Sequence, residues 1–309
     1  MKGKRFRRLL ASFAALMATA MVATACGGGD DSGDSGGDGG GGGNKNLTIG
    51  YIAWDEDIAL SNLFKVALEE RGYTVELKQL DVAPTYEALS KGDIDLFLDA
   101  WLPSTHADYW ERYKEDVEDL GVWYTDATLN LAVPSYVEDV NSIADLKEHA
   151  DKFNGTITGI DPGAGEMRIV QEEVIPQYDL AGAMKLQSSS STAMLAALEG
   201  AIKDQKPIVV TLWHPHWAYS RWDLKDLEDP KGAMGEGEEL HSLGREGFSA
   251  DYPELAEVFK SFKMTDEQLG ELEDMIQKAG SGNEEQAASD WANQNKEFMD
   301  KAFSPVSSA

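Results

Sequence analysis

Apolar positions along residues 47–304 recur with two different periods. Leu47–Ile52, Thr74–Leu80, Ile94–Leu98, Leu129–Val133, Gly155–Ile160 and Ile208–Leu212 are short apolar or alternating runs of strand length. Between them lie stretches with helical spacing: Ile58–Arg71, Tyr86–Lys91, Thr105 to about Lys114, Ser142–His149, Glu166 to about Val174, and Ser191–Lys203. Punctuation supports these limits. Gly72 and Gly92 follow two of the helices, Pro134 ends a strand, and Thr105, Ser142 and the serines before residue 191 are able to cap helices. The chain closes in three helical stretches, Pro253–Phe262, Thr265–Lys278 and Glu285–Phe303, the second opened by a Thr265/Gln268 capping box.

Alternating strand and helix units predict an α/β fold with mainly parallel sheets. They come in two sets, followed by the closing helices. We therefore expect two hinged lobes with a cleft between them: residues 46–133 with 238–304 form one, and 134–237 the other. No repeat of 20–50 residues is visible.

The beginning of the chain differs from the rest. Lys2, Lys4, Arg5, Arg7 and Arg8 precede an apolar run, Leu9–Val22, of the length of a secretory signal core and short for a membrane span. Residues 1–25 read as a signal peptide. Small residues then lead to Cys26, the single cysteine, as in the lipobox of bacterial lipoproteins, with Ala23 in place of the usual leucine; an ordinary A-x-A cleavage site is the alternative. Gly27–Gly43 contains only Gly, Asp and Ser, so residues 26–45 read as a flexible tether with a reach of about 25 Å. The expected location is the outer face of the cell membrane, held through acylated Cys26.

Charge narrows the function. The formal charge of −28 becomes −33 without the five basic residues of the leader, which argues against a nucleic-acid partner. Later apolar stretches are short, so no second membrane segment is expected. No G-x-S-x-G nucleophile motif occurs.

Four segments carry candidate chemistry. Trp54 ends the first strand-like run and precedes three acids, Asp55–Asp57, suited to a helix N-terminus. Asp99-Ala-Trp-Leu-Pro-Ser-Thr-His106 places Trp101 after another strand and His106 near the next helix, where it either donates to an anion or packs as a structural histidine. Gly159-Ile-Asp-Pro-Gly-Ala-Gly-Glu166 runs from a strand through a Gly-rich turn into a helix start, whose free N–H groups suit a carboxylate. Trp213-His-Pro-His-Trp217 closes a third strand. Tryptophan rings exposed at strand ends suit a quaternary ammonium, whose charge is attracted to the ring face although it has no N–H to donate. The His214/His216 pair raises a zinc reading, but no further ligand lies at motif spacing.

Together, Ala-Trp-Asp, Asp-Ala-Trp-Leu-Pro-Ser-Thr-His, Gly-Ile-Asp-Pro-Gly-Ala-Gly, Trp-His-Pro-His-Trp and Leu227-Glu-Asp-Pro230 resemble the glycine betaine-binding family, the substrate-binding proteins of osmoprotectant ABC importers. The resemblance covers nearly all of the chain after the tether. It implies a two-lobed periplasmic-binding-protein-like (type II) fold with ligand in the interlobe cleft. It also implies a prism of Trp54, Trp101 and Trp213 around the trimethylammonium group, with the ligand carboxylate held by the amides of Gly165 and Glu166 and by His106. Tryptophans 110, 123, 217, 222 and 291 are then packing or supporting residues. The implied function is capture of glycine betaine or proline betaine and delivery to an ABC transporter permease, with no catalysis and no cofactor, by a monomer. A choline or carnitine receptor is the alternative of the same class. A metal-dependent surface hydrolase using His214 and His216 is the remote one.

Overall fold

The structure is a computed structural model and describes residues 45–306. The expected signal peptide, Cys26 and almost all of the tether lie outside the described residues. Chain order is β1 (Asn46–Tyr51), α1 (Asp55–Glu69), β2 (Thr74–Gln79), α2 (Val82–Ser90), β3 (Leu96–Leu102), α3 (Ala107–Tyr113) and the long β4 (Val117–Pro134). Then come β5 (Thr156–Thr158), α4 (Gly165–Ile169), which continues through a π-helical turn into α5 (Ile175–Gln177), β6 (Lys185–Gln187), α6 (Ser191–Lys203) and β7 (Val210–His214). The chain continues with α7 (Ala218–Arg221), β8 (Leu224–Asp226) and β9 (Glu238–Arg245). It ends in α8 (Phe248–Asp251), α9 (Pro253–Ser261), α10 (Asp266–Ala279), α11 (Glu284–Gln294) and α12 (Lys296–Ala302).

The strands follow the order β2-β1-β3-β9-β4-β7-β5-β6, with β8 beside β4. β4 changes partners along its length. Val117 to Ala127 pair with β9, whereas Thr128 to Pro134 pair with β7 and β8. One strand thus belongs to two strand groups. The expectation of mainly parallel sheets needs correction: β1 pairs parallel with β2 and β3, and β5 with β6 and β7, but every pairing of β4 and β9 is antiparallel. The cause is β9, which returns from late in the chain and inserts between β3 and β4.

Most local expectations agree with the structure. Gly72 has φ +80°, a conformation costly for any residue with a Cβ, and it ends the first helical stretch. The capping box at Thr265 and Gln268 is present. Ser142 caps as expected, but the segment it opens, Ile143–Lys147, is a 3-10 helix. Thr105 does not cap α3. His106 occupies that position without a side-chain cap, and the Thr105 hydroxyl donates to Glu238 instead. The helical stretch expected over 285–303 is two helices, broken at Asn295.

α1 shows how the core is built. Its buried Leu60, Leu63, Phe64 and Leu68 face the sheet and the closing helices. Phe64 stacks on Phe259 at 5.0 Å and meets the edges of Phe262 and Phe303 at 4.9 and 5.2 Å. The C-terminal helices thereby lock onto the helix that begins at Trp54. Phe64→Ala should remove about 3–5 kcal/mol of stability. A urea melt showing a loss below about 1 kcal/mol would contradict this packing account.

Candidate functional site

Trp54 is the residue just before α1, with extended backbone (φ −102°, ψ 150°). Trp101 lies in β3 and Trp213 in β7. The three rings line one small cavity, whose wall also includes Glu56, Thr105, Leu129, Gly165 and Glu166. The sequence suggested exposed rings, but they are buried: Trp54, Trp101 and Trp213 are only 5, 2 and 3 % accessible. A strand end faces solvent only until another segment covers it. Here the α4 segment packs against the turn after β3, and α1 packs against the turn after β7.

The first of these contacts is close. A Cβ on Gly165 would lie 2.0 Å from the Thr105 carbonyl oxygen, so no other residue fits there. Arg168 donates to the Ser104 carbonyl at 3.1 Å and pairs with Asp108 at 3.3 Å, while the Tyr109 hydroxyl donates to the Gly163 carbonyl at 3.0 Å. Gly165 and Glu166 open α4, and amide groups in a first helical turn have no carbonyl of their own helix to bond. Two of the expected site residues therefore sit where backbone donors border the cavity.

His106 is fully buried, with its ring 5.7 Å from that of Trp54. Its Nδ1 accepts the Trp101 backbone N–H at 3.1 Å and lies 3.3 Å from the Tyr86 hydroxyl. The neutral ring must then carry its proton on Nε2, which has no partner among the described residues. Burial, helped by the positive charge of Arg168, pushes the His106 pKa down to about 3. His106 is an uncharged hydrogen-bond donor at neutral pH. Glu238, the first residue of β9, holds the loop that carries it by accepting from the Ser104 amide, the Thr105 amide at 2.9 Å and the Thr105 hydroxyl. Sequence reasoning missed Glu238, which lies 133 positions from Thr105 and has no motif around it.

The second contact is made of acids and indoles. Glu56 accepts the Trp213 indole N–H at 2.9 Å, and Asp55 accepts that of Trp217 at 2.6 Å. Asp55 also accepts from Gln277 at 3.2 Å and lies 3.3 Å from His216 Nε2. Asp57 accepts the Ile52 amide at 2.7 Å and the Ser61 hydroxyl at 3.0 Å, which fixes the turn at Trp54. His214 pairs instead with Asp226 at 2.8 Å, so the two histidines of the expected zinc pair serve different carboxylates. Among the described residues no group of three His, Cys, Asp or Glu side chains is arranged to hold a metal ion.

Residues 45–294 match the family described as the OpuAC substrate-binding domain of ABC-type glycine betaine transport systems. The chain belongs to this family. It is 35% identical to a glycine betaine/L-proline-binding protein (ProX) from Borrelia burgdorferi, with a TM-score of 0.78, over 85% of this chain and all of that one. The lactococcal OpuAC in its closed, glycine betaine-bound form is 38% identical with a TM-score of 0.77, over 84% of this chain and 99% of that one. A choline-binding protein in complex with choline is 25% identical with a TM-score of 0.76, over 86% and 93%. Among curated proteins, the glycine betaine/carnitine transport binding protein GbuC of Listeria monocytogenes serotype 1/2a (strain 10403S) is 37% identical over 155 residues, 50% of this chain. That match spans about half, 51%, of the relative's length. The fold is that of type II periplasmic binding proteins, as the sequence implied.

This OpuAC-family protein buries several acids, of which Glu56 and Glu166 line the cavity. Burial raises the Glu56 carboxyl to about 8, with Asp55 and Asp57 adding like charge, and raises Asp57 to about 7. Burial also lifts Asp99, Glu166 and Glu273 well above the carboxylate range, with Glu56 nearby in each case. Asp55 is the exception: burial opposes its charge, but His216, Trp217 and Gln277 outweigh that and hold it below its ordinary value. The signs give a pH profile. The stability contributed by Glu56 and Asp57 is fully present below their ordinary pKa values of 4.5 and 3.8, and is lost as pH rises through 7 and 8. His106 acts oppositely: its contribution is present above 6.5 and declines as pH falls toward 3. Thermal melts of the ligand-free protein should therefore lose stability between about pH 4.5 and 8, most steeply above about 6.5 where His106 no longer opposes the loss, and the Glu56→Gln/Asp57→Asn pair should flatten that limb. An identical slope in the double variant would remove these two acids as its cause.

Proposed function

We propose that this protein captures glycine betaine, or a close relative such as proline betaine, and presents it to the permease of an ABC importer. The carrying observation is the convergence of Trp54, Trp101 and Trp213 on one cavity. A quaternary ammonium has no N–H, so ring faces attract it without leaving a polar partner unmet, and each face contributes roughly 0.5–2 kcal/mol. In this reading the ligand carboxylate meets the Gly165 and Glu166 amides and the His106 Nε2–H. Support comes from the free N–H of a buried neutral imidazole and from the glycine betaine complex of the lactococcal relative.

The two strand groups act as the lobes. We place their boundary between Ala127 and Thr128 in β4, where the pairing partner changes from β9 to β7, and again before β9; the sequence pattern suggested residue 133. Arg168, Tyr109, Glu56 and Asp55 make bonds between the lobes, so ligand that touches both sides stabilises the closed form by differential contact. Closure is the signal a permease can read. Acylation of Cys26 would keep the domain at the outer membrane face, within reach of its permease.

A second reading, a choline receptor, is favoured by two carboxyls in the cavity wall, Glu56 and Glu166, which even when protonated are able to accept the choline hydroxyl, and by the choline complex of a structural relative. Calorimetric titration of the full chain separates the two. Saturable one-to-one binding of glycine betaine should weaken at least about tenfold in Trp101→Ala, which is about 1.4 kcal/mol, with the ligand-free melt intact. His106→Ala should weaken glycine betaine but leave choline unchanged. Unaltered glycine betaine binding in Trp101→Ala would sink the cage. Tighter binding of choline than of glycine betaine by the native protein would select the second reading.

A further inference from the structure

Asp55 and Glu56, the first two residues of α1, each accept an indole N–H from the same distant segment. Asp55 takes Trp217 and Glu56 takes Trp213. The donors are four positions apart, and the partners are separated by 162 and 157 residues. α1 packs in one strand group, and Trp213 lies in β7 of the other. These two acids therefore form a clasp across the joint.

The prongs do different work. Trp217 does not line the cavity, and its ring packs against Trp222 at 5.2 Å and lies under Arg221. Its bond to Asp55 is an anchor. Trp213 does line the cavity, and Glu56 is 1 % accessible, so its carboxyl is withdrawn from solvent. An indole can rotate about two side-chain bonds and presents a useful face in only a few orientations. A bond to its N–H edge fixes the plane while leaving the face free. An acceptor carboxyl there also enriches the ring's electron density, which strengthens its hold on a cation.

The other two cage rings are held less tightly. The Trp101 indole approaches Asp99 and the Trp54 indole approaches Asp161, in each case favouring the charged carboxylate. The Trp54 N–H makes no hydrogen bond of standard geometry. The role of acceptor is thus most developed at Trp213, the cage ring that must arrive from the opposite group.

We propose that Glu56 is a positioning residue that acts through Trp213: it sets the ring's orientation for a quaternary ammonium and makes the completed cage depend on contact between the two lobes. The proposal rests on the quaternary-ammonium reading of the cavity. It assigns Glu56 a role beyond that of an acid at a helix N-terminus, which any carboxylate in that turn would fill.

A double-mutant cycle with the full chain tests it, using glycine betaine as probe. Glu56→Ala should weaken binding about tenfold, Glu56→Gln, whose amide oxygen still accepts, by less than about threefold, and Trp213→Phe, which keeps a ring but loses the N–H, by about tenfold. In the Trp213→Phe background, Glu56→Ala should cost less than about threefold more. Additive losses, or a Glu56→Gln variant as weak as Glu56→Ala, would overturn the proposal, because Glu56 would then act by its own charge or through the fold. The indole N–H signal of Trp213 in ¹⁵N-labelled protein supplies a readout free of ligand: in Glu56→Gln it should remain shifted and protected from exchange. If the native protein binds neither glycine betaine nor choline, the cage reading fails. The indole signal still decides the clasp, which falls if Glu56→Gln or Trp213 itself shows an unprotected N–H. Should Glu56→Ala fail to fold, Glu56→Leu, which fills the space but accepts no indole N–H, takes its place in the cycle.

Discussion

An acceptor at the N–H edge of a tryptophan fixes the plane of the ring while leaving its face free. In this molecule Glu56 holds Trp213 in that way, and the bond ties one strand group to the other. Each of the three cavity rings has a carboxyl at or near its N–H: Glu56 for Trp213, Asp99 for Trp101 and Asp161 for Trp54. Acids placed this way are costly, because burial penalises their charge. Where these acids have partners, the partners are the edge of an indole, a backbone amide or a hydroxyl, as Ile52 and Ser61 meet Asp57. The chain's acidity is thus not confined to its solvated surface. Part of it is folded inward to hold rings.

The same burial settles the character of His106. A charged imidazole would suit a carboxylate by Coulomb attraction, yet this buried ring is pushed to its neutral form. What remains is direction. The Trp101 amide claims Nδ1, and the proton is left on Nε2. The turn that places the ring is itself held by Glu238. The placement of His106 in one strand group therefore depends on the strand that inserts between β3 and β4.

Much of this was legible in the sequence, and the division has a physical basis. Trp54, Trp101 and Trp213 stand out because each ends a short apolar run, which is a local pattern. Gly165 stands out because a Gly-rich turn between strand and helix is also local. Glu56 looked like an ordinary acid in a first helical turn, since its partner lies 157 residues away. β9 was missed because Glu238-Glu-Leu-His-Ser-Leu-Gly-Arg carries few apolar side chains and is half charged or polar at its start. It is buried for tertiary reasons: its first residue accepts the Ser104 and Thr105 amides, and its backbone completes the ladders of two neighbours. The first half of β4 hid for a related reason. Its register shifts three times against β9, so no regular alternation survives in Val117–Ala127.

Those irregularities lie where the molecule changes from one strand group to the other. A regular strand of 18 residues would tie both groups into one stiff sheet. β4 instead loses register repeatedly and then exchanges β9 for β7 and β8. Cohesion between the groups passes to side chains and turns: the clasp at α1, the Gly165–Thr105 approach and the Arg168 contacts. All of these sit around the cavity rather than at the strand that joins the groups. A ligand bridging the rings therefore acts where the two halves are held, with β4 as the continuous element between them. Small contacts of this kind control opening better than a large apolar interface would, because they can be broken together without exposing a core. Under the proposed function, in which ligand is taken up and then released to a permease, that placement makes closure depend on what fills the cavity.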